Sequence, residues 1–121
     1  AKDWLRVGIL LLNKGKLGDK RIVSESWVDE IISPSPLNPN YGFLTWLGTT
    51  HQENRIYNNK STATAFHSEP FFDNDVIYFD GFGGQRVYII PSKDLVIVRT
   101  GSINMDWDDA KLPNIISKGA L

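Results

Sequence analysis

Residues 76–101, VIYFDGFGGQRVYIIPSKDLVIVRTG, constrain this chain more than any other stretch. Three runs rich in β-branched and aromatic residues, VIYFD, QRVYII and LVIVRTG, read as strands. PSKD between the last two reads as a turn, because Pro91 presets its own φ and Asp94 suits a tight corner. The join between the first two is less ordinary. In Gly81-Phe82-Gly83-Gly84 three of four residues lack a side chain. Glycine weakens a strand, so this density implies that something approaches the backbone closely: a ligand, another strand, or a sharp bend.

The remaining chain supplies helices. AKDWLRVGILLLNKG places Trp4, Val7, Leu11 and Leu5, Ile9, Leu12 on adjoining faces at helical spacing, with Gly15 at a C-terminal cap position. SESWVDEII reads as a second helix, with Ser26 and Asp29 as a capping box. Pro34, Pro36 and Pro39 stop it from continuing. Residues 41–47 read as a strand. Residues 48–75 are mostly polar, with weak strand signals near Ile56 and Phe66. The C-terminal DWDDAKLPNIISKGAL reads as a helix capped by Asp106 or Asp108, with Pro113 in its first turn or at a bend. The pattern is α+β, an antiparallel sheet flanked by N- and C-terminal helices.

Composition narrows the function classes. Thirteen basic against fourteen acidic residues leave a net charge of -1, which makes no electrostatic case for nucleic acid. No apolar run approaches the ~18 residues that cross a bilayer. The absence of cysteine excludes disulfides and thiolate metal sites. His51 and His67 are the only histidines and lie in the polar middle, so no metal site is expected, and no cofactor. A dinucleotide loop would need a third glycine where Arg86 stands, and a helix after it. DNDV lacks the glycine and closing glutamate of a calcium loop. Asp73, Asp75 and Asp80 read as turn residues. Two readings of the glycines stay open: a wall against which a substrate lies, and a bulge or close strand crossing.

Taken in order, AKDWLRVGILLLNKGK, IVSESWVDEI, NPNYGFLTWL and DGFGGQRVYIIPSKDLVIVRTG resemble the C-terminal part of the penicillin-recognising serine hydrolases. The likeness is to the branch holding class C β-lactamases, esterases and 6-aminohexanoate-dimer hydrolase. It implies that residues 1–121 form a single partial domain, the C-terminal portion of a β-lactamase/transpeptidase-like fold. The expected partner is then the remainder of that domain. The chain also opens at Ala1 in helix-like sequence, without an initiator Met or a capping residue, so a preceding portion is expected.

In that family a serine in S-x-x-K is the nucleophile, Y-x-N or S-x-N is the second element, and K-T-G lines the cleft. Phe82-Gly83-Gly84 resembles the third element. The resemblance implies substrate contact at Phe82, Gly83 and Gly84, an oxyanion-hole N–H at Gln85, and a bordering role for Tyr41. Phe82 stands where the family carries Lys, which favours a neutral ester or amide as the small-molecule substrate. No serine here begins S-x-x-K. Tyr57-Asn58-Asn59 reads Y-x-N, but it follows the AKDWLRVG segment where the family places it before. The chain alone is therefore expected to be inert, because serine is a weak nucleophile without its base. The family implies a periplasmic or secreted location, although no targeting segment is visible. The alternative is a non-catalytic module that binds an extended peptide by strand addition to the glycine-led strand. Half of a two-layer domain would leave apolar surface uncovered, so self-association of the chain is expected.

Overall fold

In the computed structural model, which describes residues 1–57, 60 and 64–119, helix α1 (Lys2–Leu12) is the first element. It ends where expected. Lys14 and Gly15 both take positive φ, 51° and 91°, and the Gly15 N–H donates to the Leu10 carbonyl at 2.8 Å. A side chain at Gly15 would meet the Val23 carbonyl oxygen at 2.3 Å, so the stop needs glycine. A two-residue hairpin, β1 (Lys16–Leu17) with β2 (Lys20–Arg21), leads to α2 (Glu25–Ile31). The cap of α2 is Ser24, whose Oγ accepts from the Trp27 N–H at 3.1 Å. The helix thus begins two residues before the expected Ser26, because Ser24 itself takes the extended conformation of a cap, φ -67° and ψ 151°.

The main sheet has four antiparallel strands in the order β3 (Trp46–Leu47), β6 (Ile77–Gly81), β7 (Gln85–Ile90), β8 (Leu95–Arg99). The fold is α+β. The strand expected over residues 41–47 shrinks to two residues. Gly42 packs so closely on the end of α2 that an added Cβ would lie 2.1 Å from the Ile31 carbonyl oxygen, and Leu44 turns the chain at φ 57°. The polar middle holds its own hairpin, β4 (Asn54–Ile56) with β5 (Thr64–Phe66), where the weak strand signals fell.

Period-two alternation sends Ile77, Val87 and Ile89 to one face, packed with Leu11, Val28 and Leu47 beneath α1. Tyr78, Tyr88, Ile90 and Ile97 go to the other, packed with Trp46, Phe71 and Ala110, and with Leu112 and Ile116 of α3 (Lys111–Ser117). The two end helices therefore cover opposite faces. Pro113 sits in the first turn of α3, where a missing N–H costs nothing. Ala110 occupies the cap position, while Asp108 Oδ1 accepts the Ala110 N–H at 3.2 Å. No helix of the described residues is long and apolar enough to cross a membrane.

Helix α1 approaches the sheet most closely through its C-terminal half, while at its N-terminal end the Trp4 ring faces Phe79 at 6.4 Å. Gly8 and Leu11 are buried, whereas Trp4, Leu5 and Val7 are exposed. Gly8 is the point of closest approach, since a Cβ there would stand 2.5 Å from Val96 Cγ1. Gly8→Leu is expected to push the helix off the sheet and to destabilise the fold by about 1–3 kcal/mol, read as a lowered urea midpoint with unchanged slope. An unaltered midpoint would show that α1 does not need this contact.

Candidate functional site: a cleft beside the glycine turn

The glycines form the hairpin turn between β6 and β7 over Phe82–Gly84, with Gly83 off helical geometry at φ 68° and ψ 32°. Gly83 and Gly84 have φ of 68° and 80°, the left-handed region that disfavours side chains. What approaches them most closely is this chain's own loop. An added Cβ would lie 2.9 Å from Ile103 Cγ2 at Gly83, and 2.9 Å from Trp107 Cβ at Gly84. The Gly83 carbonyl is fully engaged. It accepts from the Asn104 N–H at 3.0 Å, Arg99 Nη1 at 3.2 Å and Gln85 Nε2 at 3.3 Å. Arg99 in turn lies over the Trp107 ring at 4.6 Å.

Beyond this turn the sheet has a free edge. β3 pairs only with Ile77 and Tyr78, so among the described residues no strand pairs with the outer edge of Phe79, Asp80 and Gly81. That free half of β6 runs into a cleft of about 140 Å3. Gly81, Phe82, Gly83 and Gly84 form one wall, β5 and Tyr57 a second, and Asn104, Met105 and Trp107 a third. Phe82 projects into solvent, 74% exposed.

The other expected residues stand apart from this cleft. Gln85 is paired with Gly81 across the hairpin, and its side chain is on the α1 face. Its carboxamide continues the sheet by one peptide-like pair: Nε2 donates to the Gly101 carbonyl at 3.1 Å, and Oε1 accepts the Gly101 N–H at 2.9 Å. Gln85 is not among the residues that line the cleft, whose glycine wall ends at its chain neighbour Gly84. Tyr41 lies edge-on to Trp46 at 4.8 Å and does not line the cleft. Tyr57 does line it, although its Y-x-N context cannot be followed, since Asn58 and Asn59 are outside the described residues. β7 is hydrogen-bonded on both sides, so the glycine-led strand offers no edge to a peptide.

Behind the cleft lies a charge network that the sequence order conceals. Arg86 bonds Asp80 at 2.7 Å through Nη1 and Asp109 at 2.6 Å through Nε. Arg55 pairs with the other oxygen of Asp109 and reaches Asp80 at 3.4 Å. The Tyr57 hydroxyl donates to Asp80 at 3.1 Å. Burial works against the Arg86 charge, but Asp109 and Asp80 outweigh it and raise its pKa. Burial also pushes the Asp109 carboxyl upward, against the pull of Arg55 and Arg86. The Arg55 guanidinium is stacked over Trp46 at 4.1 Å and faces Tyr78 at 5.1 Å. Burial, then Asp80, raises the Tyr57 hydroxyl above its usual range. Among the described residues, no three or more His, Asp or Glu side chains are grouped to hold a metal.

His67 sits at the edge of this network, buried, at 4.9 Å from the His51 ring and 4.5 Å from Phe71. Neither ring nitrogen has a hydrogen-bond partner among the described residues. Burial, then the neighbouring His51 and Arg55, lowers its pKa from 6.5 to about 4; Asp108 and Glu69 oppose weakly.

No protein-family model matches this chain, and no curated protein does.

Two outcomes are expected from the network. Asp109→Asn leaves two buried guanidiniums sharing the single carboxylate of Asp80 and should cost about 3–5 kcal/mol in chemical denaturation. His67 is neutral in the fold, so the unfolded chain takes up its proton first. Its contribution is whole above pH 6.5 and is lost as pH falls from 6.5 through about 4. The loss is on the order of 2 kcal/mol once solvent screening is allowed for. His67→Phe should flatten the stability profile over that window; the same slope in both proteins would remove His67 as its source.

Proposed function

We propose that this chain is the C-terminal segment of a serine hydrolase that acts by acyl transfer on an ester, amide or lactam. It contributes an oxyanion-hole wall and not the nucleophile. The observation that carries the reading is the coincidence of a free strand edge with a glycine-rich turn. The outer edge of Asp80-Gly81 and the turn Phe82–Gly84 border one cleft. The four sequence segments that resemble the penicillin-recognising hydrolases, in their order, support it independently.

In this reading the substrate carbonyl lies against the glycine turn. A serine hydroxyl from an S-x-x-K helix elsewhere in the polypeptide attacks the carbonyl carbon, and its base takes the proton. The Gln85 main-chain N–H stabilises the oxyanion, an effect on the order of 3 kcal/mol per donor. The leaving group departs with that proton, and water then releases the acyl group. Phe82 supplies no cation at the position where the family holds one, which favours a neutral substrate.

The 121-residue chain treated with a fluorophosphonate probe should take up no label and turn over no chromogenic ester. The full reading frame that supplies S-x-x-K should do both. A stoichiometric adduct on a serine of this chain, or none on a frame containing that motif, would overturn the proposal.

A further inference from the structure

We propose that the free edge of β8 is an interface between two copies of this chain, paired antiparallel about a two-fold axis at Ile97. The proposal does not rest on the hydrolase reading.

The edge itself is the first observation. β8 ends the sheet and pairs with β7, and among the described residues no other strand pairs with it. Its run Leu95-Val96-Ile97-Val98 carries none of the Lys or Pro that guard exposed edges. Helix α1 is the second observation. A Cβ on Gly8 would meet Val96 Cγ1 at 2.5 Å and Val87 Cγ1 at 3.1 Å, so the helix lies over the groove between β8 and β7. At about 3.6 residues per turn, Trp4 and Leu11 share one flank of α1, and Leu5 and Ile9 share the other. The first flank turns inward across the sheet: Trp4 faces Phe79, and Leu11 packs with Leu47 and Ile77. Leu5 and Ile9 therefore overhang the free edge. Leu5 is 38% exposed and Ile9 is half-buried.

Geometry selects a second copy as the occupant. A lone added strand would complete the ladder but leave Leu5 uncovered. A two-fold axis normal to the sheet brings a strand and a helix together. With strands about 4.8 Å apart, it sets the two α1 axes roughly 10 Å from each other, a packing distance for helices. The register fits as well. An axis at Ile97 sets that residue against its own copy, and Val96 against Val98 of the other copy. These are β-branched pairs on matched faces, since Val96 and Val98 lie on the α1 side and Ile97 on the other. Arg99 then falls opposite Leu95, and its guanidinium is tied back to the carbonyls of Gly83 and Ser102. An axis at Val96 would instead oppose Lys93 and Arg99, two like charges. The helix agrees with the axis at Ile97. Gly8 stands over Val96, while Trp4 shares a hollow with Val98 and Thr100, so α1 runs antiparallel to β8. Ile97 is level with the turn between Trp4 and Gly8, where Leu5 points outward. Leu5 thus meets its own copy at the axis.

The test is sedimentation equilibrium of the 121-residue chain from about 1 µM to 1 mM, with amide hydrogen exchange at both ends of that range. A monomer–dimer equilibrium is expected, with a Kd on the order of tens of µM and slower exchange of the outward β8 amides in the dimer. Leu5→Lys should weaken dimerisation about tenfold and leave the unfolding midpoint of the dilute chain unchanged. Leu44→Lys, at an exposed position beside β3 on the opposite edge, should change neither. The chain has no cysteine, so Leu5→Cys supplies its only thiol and should give a covalent dimer on oxidation. A chain that stays monomeric, or a dimer that Leu5→Lys leaves intact, would overturn the proposal. So would a full reading frame that is monomeric with its β8 amides protected, because the edge then belongs to the rest of the polypeptide.

Discussion

The pairing of two guanidiniums with two carboxylates in the interior holds the rest of the structure in register. Asp109 takes Arg55 on one oxygen and Arg86 on the other, and Asp80 bridges the same two arginines from β6. The four residues come from β4, β6, β7 and the segment before α3. All four side chains are nearly inaccessible, so each charge depends on the others. Such a network adds little net stability compared with an apolar core of the same shape. What it specifies is position. It draws the β4–β5 hairpin against the sheet at the level where β6 loses its partner strand, and so creates the cleft.

The glycine turn is shaped from both sides. Its left-handed residues let the loop at Ile103 and Trp107 close on one side, and the loop returns a hydrogen bond from Asn104 to the Gly83 carbonyl. Gln85 and Arg99 brace the same carbonyl. Trp107 is held in turn by its indole N–H, which donates to the Tyr88 hydroxyl at 3.0 Å. A turn tied at so many points keeps its backbone geometry, the property that an electrostatic site for a developing charge needs. The missing side chains thus serve two purposes: close packing against the loop, and a bare wall where the loop leaves an opening.

Much of the architecture was legible from local chemistry. The strands β6, β7 and β8, the PSKD corner with Asp94 at φ 50°, the Gly15 helix stop and the first-turn Pro113 all follow from propensity and turn rules. Opposite faces for Gln85 and Arg86 follow from alternation. Local rules failed where a contact distant in sequence prevailed. The strand over 41–47 was cut short by the carbonyl of Ile31 beside Gly42, and no pattern within that segment signals it. The α2 cap moved to Ser24 because two candidate serines lie two residues apart, and the extended chain before the helix decides between them.

The candidate site was legible only in part. Gly83, Gly84 and Phe82 stand out in the sequence by composition, and they do share a cleft wall. Nothing local to Tyr57, Phe66, Met105 or Trp107 signals that they share a cleft, because they meet only when the hairpin and the 103–107 loop fold onto β6. Asp109 reads as one of several acidic residues in DWDD until Arg55 and Arg86 are brought to it over 54 and 23 positions. By itself the sequence determined the element types, the two faces of the sheet and the place where the backbone had to be bare, since these depend on neighbours along the chain. Only the tertiary structure decided which strand edge stays open, what closes on the glycines and which charges are paired. Those depend on long-range packing and on the need to pair every charge withdrawn from water.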